Sequence, residues 1–331
     1  MQRIVIDTDG GVDDALALLL ALAWPEARIE AITTVHGNVP VESATRNVSE
    51  VLHIADCGMS CAMPRELSLV AGCPAPLLAS PVFAADVHGH DGLGGWIRTA
   101  PPRDLSNHIS ASKKIVSLAR RFPGEITLVT IGPLTNAAVA LREDPDGFRS
   151  LKQIVTMGGA IREHGNVSAT AEFNLFADPD AAREVVHGGI PLTFVGLDVT
   201  HKVEFSRERL ELLLGSRSDL RARFLRCVCD RMFSFYRPRL GRDIFFLHDP
   251  LAVGVALDRS LVETQPMSVD IETKGELTRG MVVADRRPWI RSAPNVHVCV
   301  SVDAERFLDL FCRRVIDFQP ARSAASFTGA G

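Results

Sequence analysis

Three things are scarce in this 331-residue sequence: an excess of basic residues, cysteines in a paired pattern, and any long apolar run. Lys and Arg number 36 against 40 Asp and Glu, a formal net charge of −4. Nucleic acid and anionic membrane both usually call for a basic face, so neither is expected as a partner. No stretch has the apolar length of a membrane span. The N-terminus enters a strand-like run almost at once, without the basic region and apolar core of a signal peptide. The cysteines stand at 57, 61, 73, 227, 229, 299 and 312, an odd count with no convincing disulfide framework. Cys57 and Cys61 could share a helix face, but no second pair completes a zinc site. The cytoplasm is the expected compartment. Internal repeats, low-complexity linkers and sharp domain boundaries are missing as well, while 46% apolar residues supply a substantial core.

What is present is an alternation of strand and helix signals. Ile4 to Ile6, Arg28 to Thr34, Glu125 to Ile131, Leu151 to Met157 and Pro191 to Val195 read as strands, each followed by turn formers or a helical pattern. Helices are expected over 16–22, 41–55, 111–121, 134–142 and 249–257, and over most of 206–240 with a break near Gly215. Residues 64–102, rich in Pro, Gly, Ala and His, form a long connection of the kind that often carries function. Later runs at 262–272, 281–284 and 296–302 read as shorter, antiparallel strands before a closing helix at 304–315. The expected fold is a single α/β domain over residues 1–320 with a mostly parallel, Rossmann-like central sheet, flanking helices and a few antiparallel strands. Residues 321–331 form a tail expected to fray.

The stretch from Ile4 to Leu18 stands out. Asp7, Asp9, Asp13 and Asp14 crowd between a buried-strand pattern and an apolar helix, around Gly10-Gly11. A helix N-terminus favours one or two carboxylates. Four repel one another unless a cation sits among them, and a hard divalent ion bound through oxygens answers that need.

In parallel sheets ligands collect beyond the carboxyl ends of the strands. The polar residues that follow each strand are these aspartates, then His36-Gly37-Asn38, Gly132-Pro133, Gly158-Gly159 with Asn166, Glu172 and Asn174, and late in the chain His248-Asp249. The set is acids and amides with almost no basic side chain. A phosphate site would need glycine-rich amides with Lys or Arg. Acids with amides suit a neutral polyhydroxylated ligand, whose hydroxyls both donate and accept. A sugar ring beside a hard metal ion is the natural inference, with the ion activating water. His248 is then a candidate acid for a leaving group.

These motifs resemble the inosine–uridine nucleoside hydrolase family, whose opening signature is aspartate-x-aspartate-proline-glycine-x-aspartate-aspartate. The resemblance runs nearly the whole length: Gly37-Asn38, Gly132-Pro133-Leu134-Thr135-Asn136, Met157-Gly158-Gly159, Asn166 with Glu172-Phe173-Asn174, His248-Asp249-Pro250-Leu251-Ala252 and Thr278-Arg279-Gly280. Gly10 departs from it, standing where the family often has proline, which is expected to loosen the turn. The resemblance implies hydrolysis of the N-glycosidic bond of ribonucleosides, with one calcium ion per subunit. Asp9, Asp14 and Asp249, with the backbone carbonyl of Ile131, are implied as its ligands, and Asp7 as a support behind them. Asp9 is implied also to take the proton of the attacking water. Asp13, Asn166, Glu172, Asn174 and Asp249 are implied to hold the ribose hydroxyls, with Asn38 supporting and Met157 packing on the sugar. His248, His88 or neither protonates the leaving base. His88, next to His90 in the glycine-rich loop, is a candidate to close on the base, and Tyr236, the single tyrosine, to stack on it or bond to it. The resemblance also implies a homodimer or homotetramer. Base preference stays open.

Some neighbours read more simply as scaffold. His36, Asp198 and His201 are taken as structural, Asn136 as a backbone bond former at a helix start, and Arg279 as a turn or interface residue. Two other functions compete. A strand ending in Asp7-Thr8-Asp9-Gly10 superficially resembles the haloacid-dehalogenase phosphatases, magnesium enzymes that would need a lysine after a later strand. Lys113 and Lys114 fall in a helix and Lys152 opens a strand. A nucleoside or ribose binder without catalysis is the other alternative, against which the complete set of acids and His248 argues.

Overall fold

A computed structural model describes residues 1–58, 67–101, 109–287, 289 and 292–316. Cys61 and the tail 321–331 lie outside the described residues. In chain order the strands are β1 Gln2–Thr8, β2 Ala27–Thr34, β3 Ser68–Ala71, β4 Ile126–Thr130, β5 Gln153–Met157, β6 Leu192–Val195, β7 Glu204–Ser206, β8 Ile244–Phe246, β9 Val262–Met267, β10 Val269–Ile271, β11 Val282–Ala284 and β12 Val296–Val302. Eight of them form one sheet in the order β3-β2-β1-β4-β5-β6-β12-β9. All neighbours are parallel except β12 with β9. The pairs β7–β8 and β10–β11 are small antiparallel sheets. The fold is therefore the expected α/β domain. One detail differs: Val296–Val302, read as antiparallel, runs parallel to β6 on one side and antiparallel to β9 on the other.

The first six strands have the 3-2-1-4-5-6 order of a doubly wound sheet, whose order reverses between β1 and β4. A crevice opens at such a reversal, outside the carboxyl ends of the strands. β1 forms there because Ile4, Val5 and Ile6 are covered on both faces, as a central parallel strand requires. Two apolar clusters hold these faces. Helix Val12–Leu22 is buried along nearly its whole length and packs on the equally buried helix His248–Leu257. Truncating a core side chain such as Leu16 to alanine costs about 2–5 kcal/mol.

The helical stretch after 206 is indeed two helices, Arg207–Leu214 and Leu220–Leu240, parted at Gly215 with φ of +50°. The long connection carries β3 and the short helix Ala85–His88. Glu50 pins its far end, accepting from Trp96 Nε1 and Ala100 N, each at 2.8 Å. Among the described residues, no helix is long and apolar enough to cross a membrane.

Candidate active site

β1 hands over to helix Val12–Leu22 through Asp9-Gly10-Gly11, and the four aspartates diverge there. Asp7 is fully buried: its Oδ1 accepts from Thr33 Oγ1 at 2.6 Å and Asn136 Nδ2 at 2.8 Å, and its Oδ2 has no partner. Asp9 faces Asn38, accepting from the backbone N at 2.7 Å and from Nδ2 at 2.9 Å. Asp14 turns back on the loop, where it accepts from Gly11 N at 2.7 Å, Asp9 N at 3.2 Å, Asn38 Nδ2 at 3.0 Å and the Thr8 hydroxyl. Asp13 points into the cavity with Oδ1 unpartnered.

Oxygens of Asp13, Asp14 and Asp249 lie within 4.8 Å of one another, all buried. Burial, then the charge of Asp14, pushes Asp13 up to about 7. Burial followed by the neighbouring carboxylates raises Asp249 well above the usual range, and burial followed by Asp14 does the same to Asp9. Such a set is paired with a cation or kept protonated. The donors are oxygens alone and one stands orphaned, which suits a hard divalent ion.

The cavity above this floor has a volume of about 280 Å³. Its lining includes Asn38, Ile131, Met157, Asn166, Glu172 and Asn174 together with His88, Tyr236, His248 and Asp249. Glu172 begins helix Phe173–Ala177, and its carboxylate accepts from the N–H groups of Asn174 at 2.8 Å, Gly159 at 3.0 Å and Leu175 at 3.3 Å. Burial nevertheless lifts it to about 7. Asn174 Nδ2 spans Met157 O at 3.1 Å and Ile131 O at 3.2 Å, tying the ends of β5 and β4. Asn166 Oδ1 accepts from Phe173 N at 2.9 Å. His248 sits between Thr200 Oγ1, 2.8 Å from Nδ1, and Tyr236 Oη, 3.3 Å from Nε2. His88 Nδ1 accepts from Val12 N at 3.1 Å and lies 3.8 Å from Asp13. Burial holds both imidazoles down to about 3, so both are neutral near pH 7.

The inosine-uridine preferring nucleoside hydrolase family matches residues 4–309. The chain belongs to that family. It is 36% identical to the inosine-uridine preferring nucleoside hydrolase of Crithidia fasciculata, over 93% of this chain and 96% of that one. It is 34% identical to a pyrimidine-specific ribonucleoside hydrolase of Salmonella arizonae, over 94% and 97%. Among solved structures, a purine-preferring ribonucleoside hydrolase from Gardnerella vaginalis superposes with a TM-score of 0.86 at 32% identity, over 95% and 98% of the two chains. This nucleoside hydrolase family member is an N-glycosyl hydrolase by the company of these enzymes.

The one departure from the family signature is tighter than expected. Gly10 adopts φ of +68°, and a Cβ there would lie 2.5 Å from Ala44 Cα. Proline, held near φ of about −65°, does not fit that conformation, so the turn is a packed glycine turn and not a loosened one.

Other side chains sort as follows. His88, not His90, lines the cavity, as does Tyr236. His36 is scaffold, with Nε2 2.9 Å from Thr135 Oγ1. Asp198 accepts from Ile161 N and Arg162 N at 2.9 and 2.7 Å, a loop clamp. Arg279 stacks over Phe176, 4.9 Å from the ring centroid. Asn136 bonds backbone as expected, but across strands, reaching Thr34 O and Cys73 N at 2.9 and 2.8 Å. Sequence reasoning missed Phe83, Asp86, Met232 and Arg239, which also line the cavity. Phe83 lies in the non-periodic connection, while Met232 and Arg239 share a helix with Tyr236 at three- and four-residue spacing, which was the available signal. No lysine lines the cavity among the described residues, and a lysine is what the phosphatase reading requires.

Proposed function

We propose that the enzyme hydrolyses the N-glycosidic bond of ribonucleosides, with calcium as its metal. The observation that carries this is the convergence of Asp13, Asp14 and Asp249 at the floor of a cavity whose lining includes the amides of Asn38, Asn166 and Asn174, Glu172 and two neutral imidazoles. Asp9, Asp14 and Asp249 hold the ion with the Ile131 carbonyl, and Asp7 backs them. Asp9 is engaged by Asn38 through both oxygens, yet each carboxylate oxygen keeps a further lone pair for this role. When bound there, the ion supplies a Lewis acid that makes water nucleophilic at neutral pH.

The chain's own groups do the rest. Asp9 accepts the proton of the attacking water as its oxygen bonds to the anomeric carbon. The carbon–nitrogen bond breaks with its electron pair leaving on the base, which takes up a proton. Positive charge grows on the ribose, as in other glycoside cleavage. Asp13, Glu172 and Asp249 face that charge and hold the ribose hydroxyls with Asn166 and Asn174, while Asn38 keeps Asp9 in place and Met157 packs against the ring. Preorganised charge of this kind is usually the largest catalytic contribution. His248 is the donor to the leaving base through Nε2. As negative charge builds on the base the imidazole takes up a proton from solvent, and Nε2 passes one to the base, which leaves the ring neutral again. Nδ1 faces the Thr200 hydroxyl and Tyr236 Oη lies beside Nε2. His88 lies against the base. The working unit is a homodimer or homotetramer, and the enzyme acts in the cytoplasm.

The test is a release assay across the common ribonucleosides, with and without calcium. Free base and ribose in equal amounts, only with the metal present, is the expected result. Phosphate release from an ester with nucleosides untouched overturns the reading.

A further inference from the structure

A second group of metal-ligating side chains stands outside the cavity. Glu163, His164 and His201 each offer an atom within 4.8 Å of the others. His164 Nε2 lies 3.4 Å from Glu163 Oε1, and His201 Nδ1 lies 4.0 Å from Glu163 Oε2. His164 Nδ1 is 2.8 Å from the carbonyl of Gly165. A carbonyl only accepts, so Nδ1 carries a proton, and in the neutral imidazole Nε2 then offers its lone pair on the side of Glu163. A backbone carbonyl behind the imidazole is the usual partner that fixes the tautomer of a ligating histidine.

From this geometry we infer that Glu163, His164 and His201 bind a borderline divalent cation of the zinc class. Two imidazoles with one carboxylate favour zinc or copper over calcium, which prefers oxygen donors throughout. A tetrahedral shell with bonds of about 2.0–2.2 Å places its donors roughly 3.3 Å apart. The His164–Glu163 spacing already meets that, and His201 meets it by swinging outward. Water completes the shell, because Glu163 and His164 are exposed.

The site sits where it can be felt in the cavity. His201 packs edge-on against His248 with centroids 5.7 Å apart, and tilted against Phe246 at 4.8 Å and His164 at 5.2 Å. The loop that carries Glu163 and His164 continues to Asn166 at the cavity wall, and Asp198 clamps its start. Drawing His201 toward Glu163 loosens its edge contact with His248, so an occupied site lowers turnover.

The full chain, held in saturating calcium, is titrated with zinc against a chromogenic chelator, and copper is used separately as a spectroscopic probe. We expect one zinc beyond the calcium, and a copper resonance split by two imidazole nitrogens. Glu163→Gln and His164→Ala should each weaken zinc at least tenfold while keeping calcium-supported turnover. Turnover should fall with zinc in the parent and not in His164→Ala. Equal zinc affinity or equal inhibition in parent and variants, or copper without imidazole splitting, overturns the site. Zinc bound with turnover unchanged overturns its link to His248. The uptake experiment needs no nucleoside, so it stands or falls separately from the proposed reaction.

Discussion

Asn136 Nδ2 donates to Asp7 Oδ1 at 2.8 Å, across 129 positions of the chain. The same amide nitrogen reaches Thr34 O, and its oxygen accepts from Cys73 N. One side chain therefore joins the ends of β1 and β2 to the segment after β3, behind the acids. Deleting it leaves buried polar groups without partners, at about 1–3 kcal/mol. Asn136→Ala is expected to lose stability in that range by urea unfolding. Asn136→Asp should lose more, since two buried carboxylates then face each other. An unshifted midpoint in Asn136→Ala counts against the strut.

In the proposed mechanism Asp13 and Glu172 present charge to the sugar, and hydrogen bonds to charged groups contribute roughly 1.5–3 kcal/mol each. At about 1.4 kcal/mol per factor of ten, Asp13→Asn or Glu172→Gln should lower kcat/KM for inosine or uridine by more than tenfold. Ribose release is the measurement. If Asp13 holds the 2′-hydroxyl, deoxyinosine should be a poor substrate of the parent, and comparable turnover of the two would remove that role.

His248 can matter as a proton donor or merely as packing. A donor contributes typically about 10²–10⁴-fold, and its importance depends on the leaving group. His248→Ala should lose activity in that range toward inosine and far less toward a nitrophenyl riboside, whose leaving group needs no proton. Equal losses on both substrates would reduce His248 to scaffold. Tyr236→Phe removes the hydroxyl beside Nε2 and should cost less than His248→Ala on inosine.

Removing the metal tests the acid cluster. Asp13, Asp14 and Asp249 repel one another in the buried floor, so a chelator should abolish turnover and lower the Tm. Calcium at about a hundred times its Kd adds about 2.7 kcal/mol of stability through binding alone. Calorimetry with chelator and then with calcium in excess shows whether both losses reverse together. Full turnover after complete stripping would overturn the role of the metal.

A pH effect follows from His36. Thr135 Oγ1 gives its proton to Asp178 Oδ2 at 2.7 Å, so it accepts from His36 Nε2 at 2.9 Å. His36 Nδ1 is buried without a partner, and a proton placed there finds no acceptor. Burial accordingly lowers this imidazole to about 4. The unfolded chain binds the proton more readily than the fold, so the contribution is complete above about 6.5 and is lost as pH falls toward 4. His36→Gln should show a shallower fall in urea midpoint between pH 7 and pH 4.5, and parallel slopes would assign the loss to other groups.

The parallel strands were legible because a strand covered on both faces is written as a β-branched run between turn formers, as at Ile4 to Ile6. Strand direction was not. Val296–Val302 has the same kind of run on both edges, and nothing in it encodes that one neighbour is parallel and the other antiparallel. The acids were visible as a group, but their orientation follows from backbone angles at Gly10 and Gly11, so Asp9 facing Asn38 and Asp13 facing the cavity could not be read off. Asn136 looked local because its true partners are 63, 102 and 129 positions away.

Helix Val12–Leu22 lies against helix His248–Leu257, so the oxygens of Asp13 and Asp14 meet that of Asp249 only once the chain has been built past residue 249. Loop closure over such a span comes late in folding. A ribosome-bound or truncated chain that stops short of Asp249 carries the sequence of β1 to β6 but lacks one of the three acids of the floor. Hydrolytic activity thus reports completed folding, and a partly made chain leaves the nucleosides around it intact.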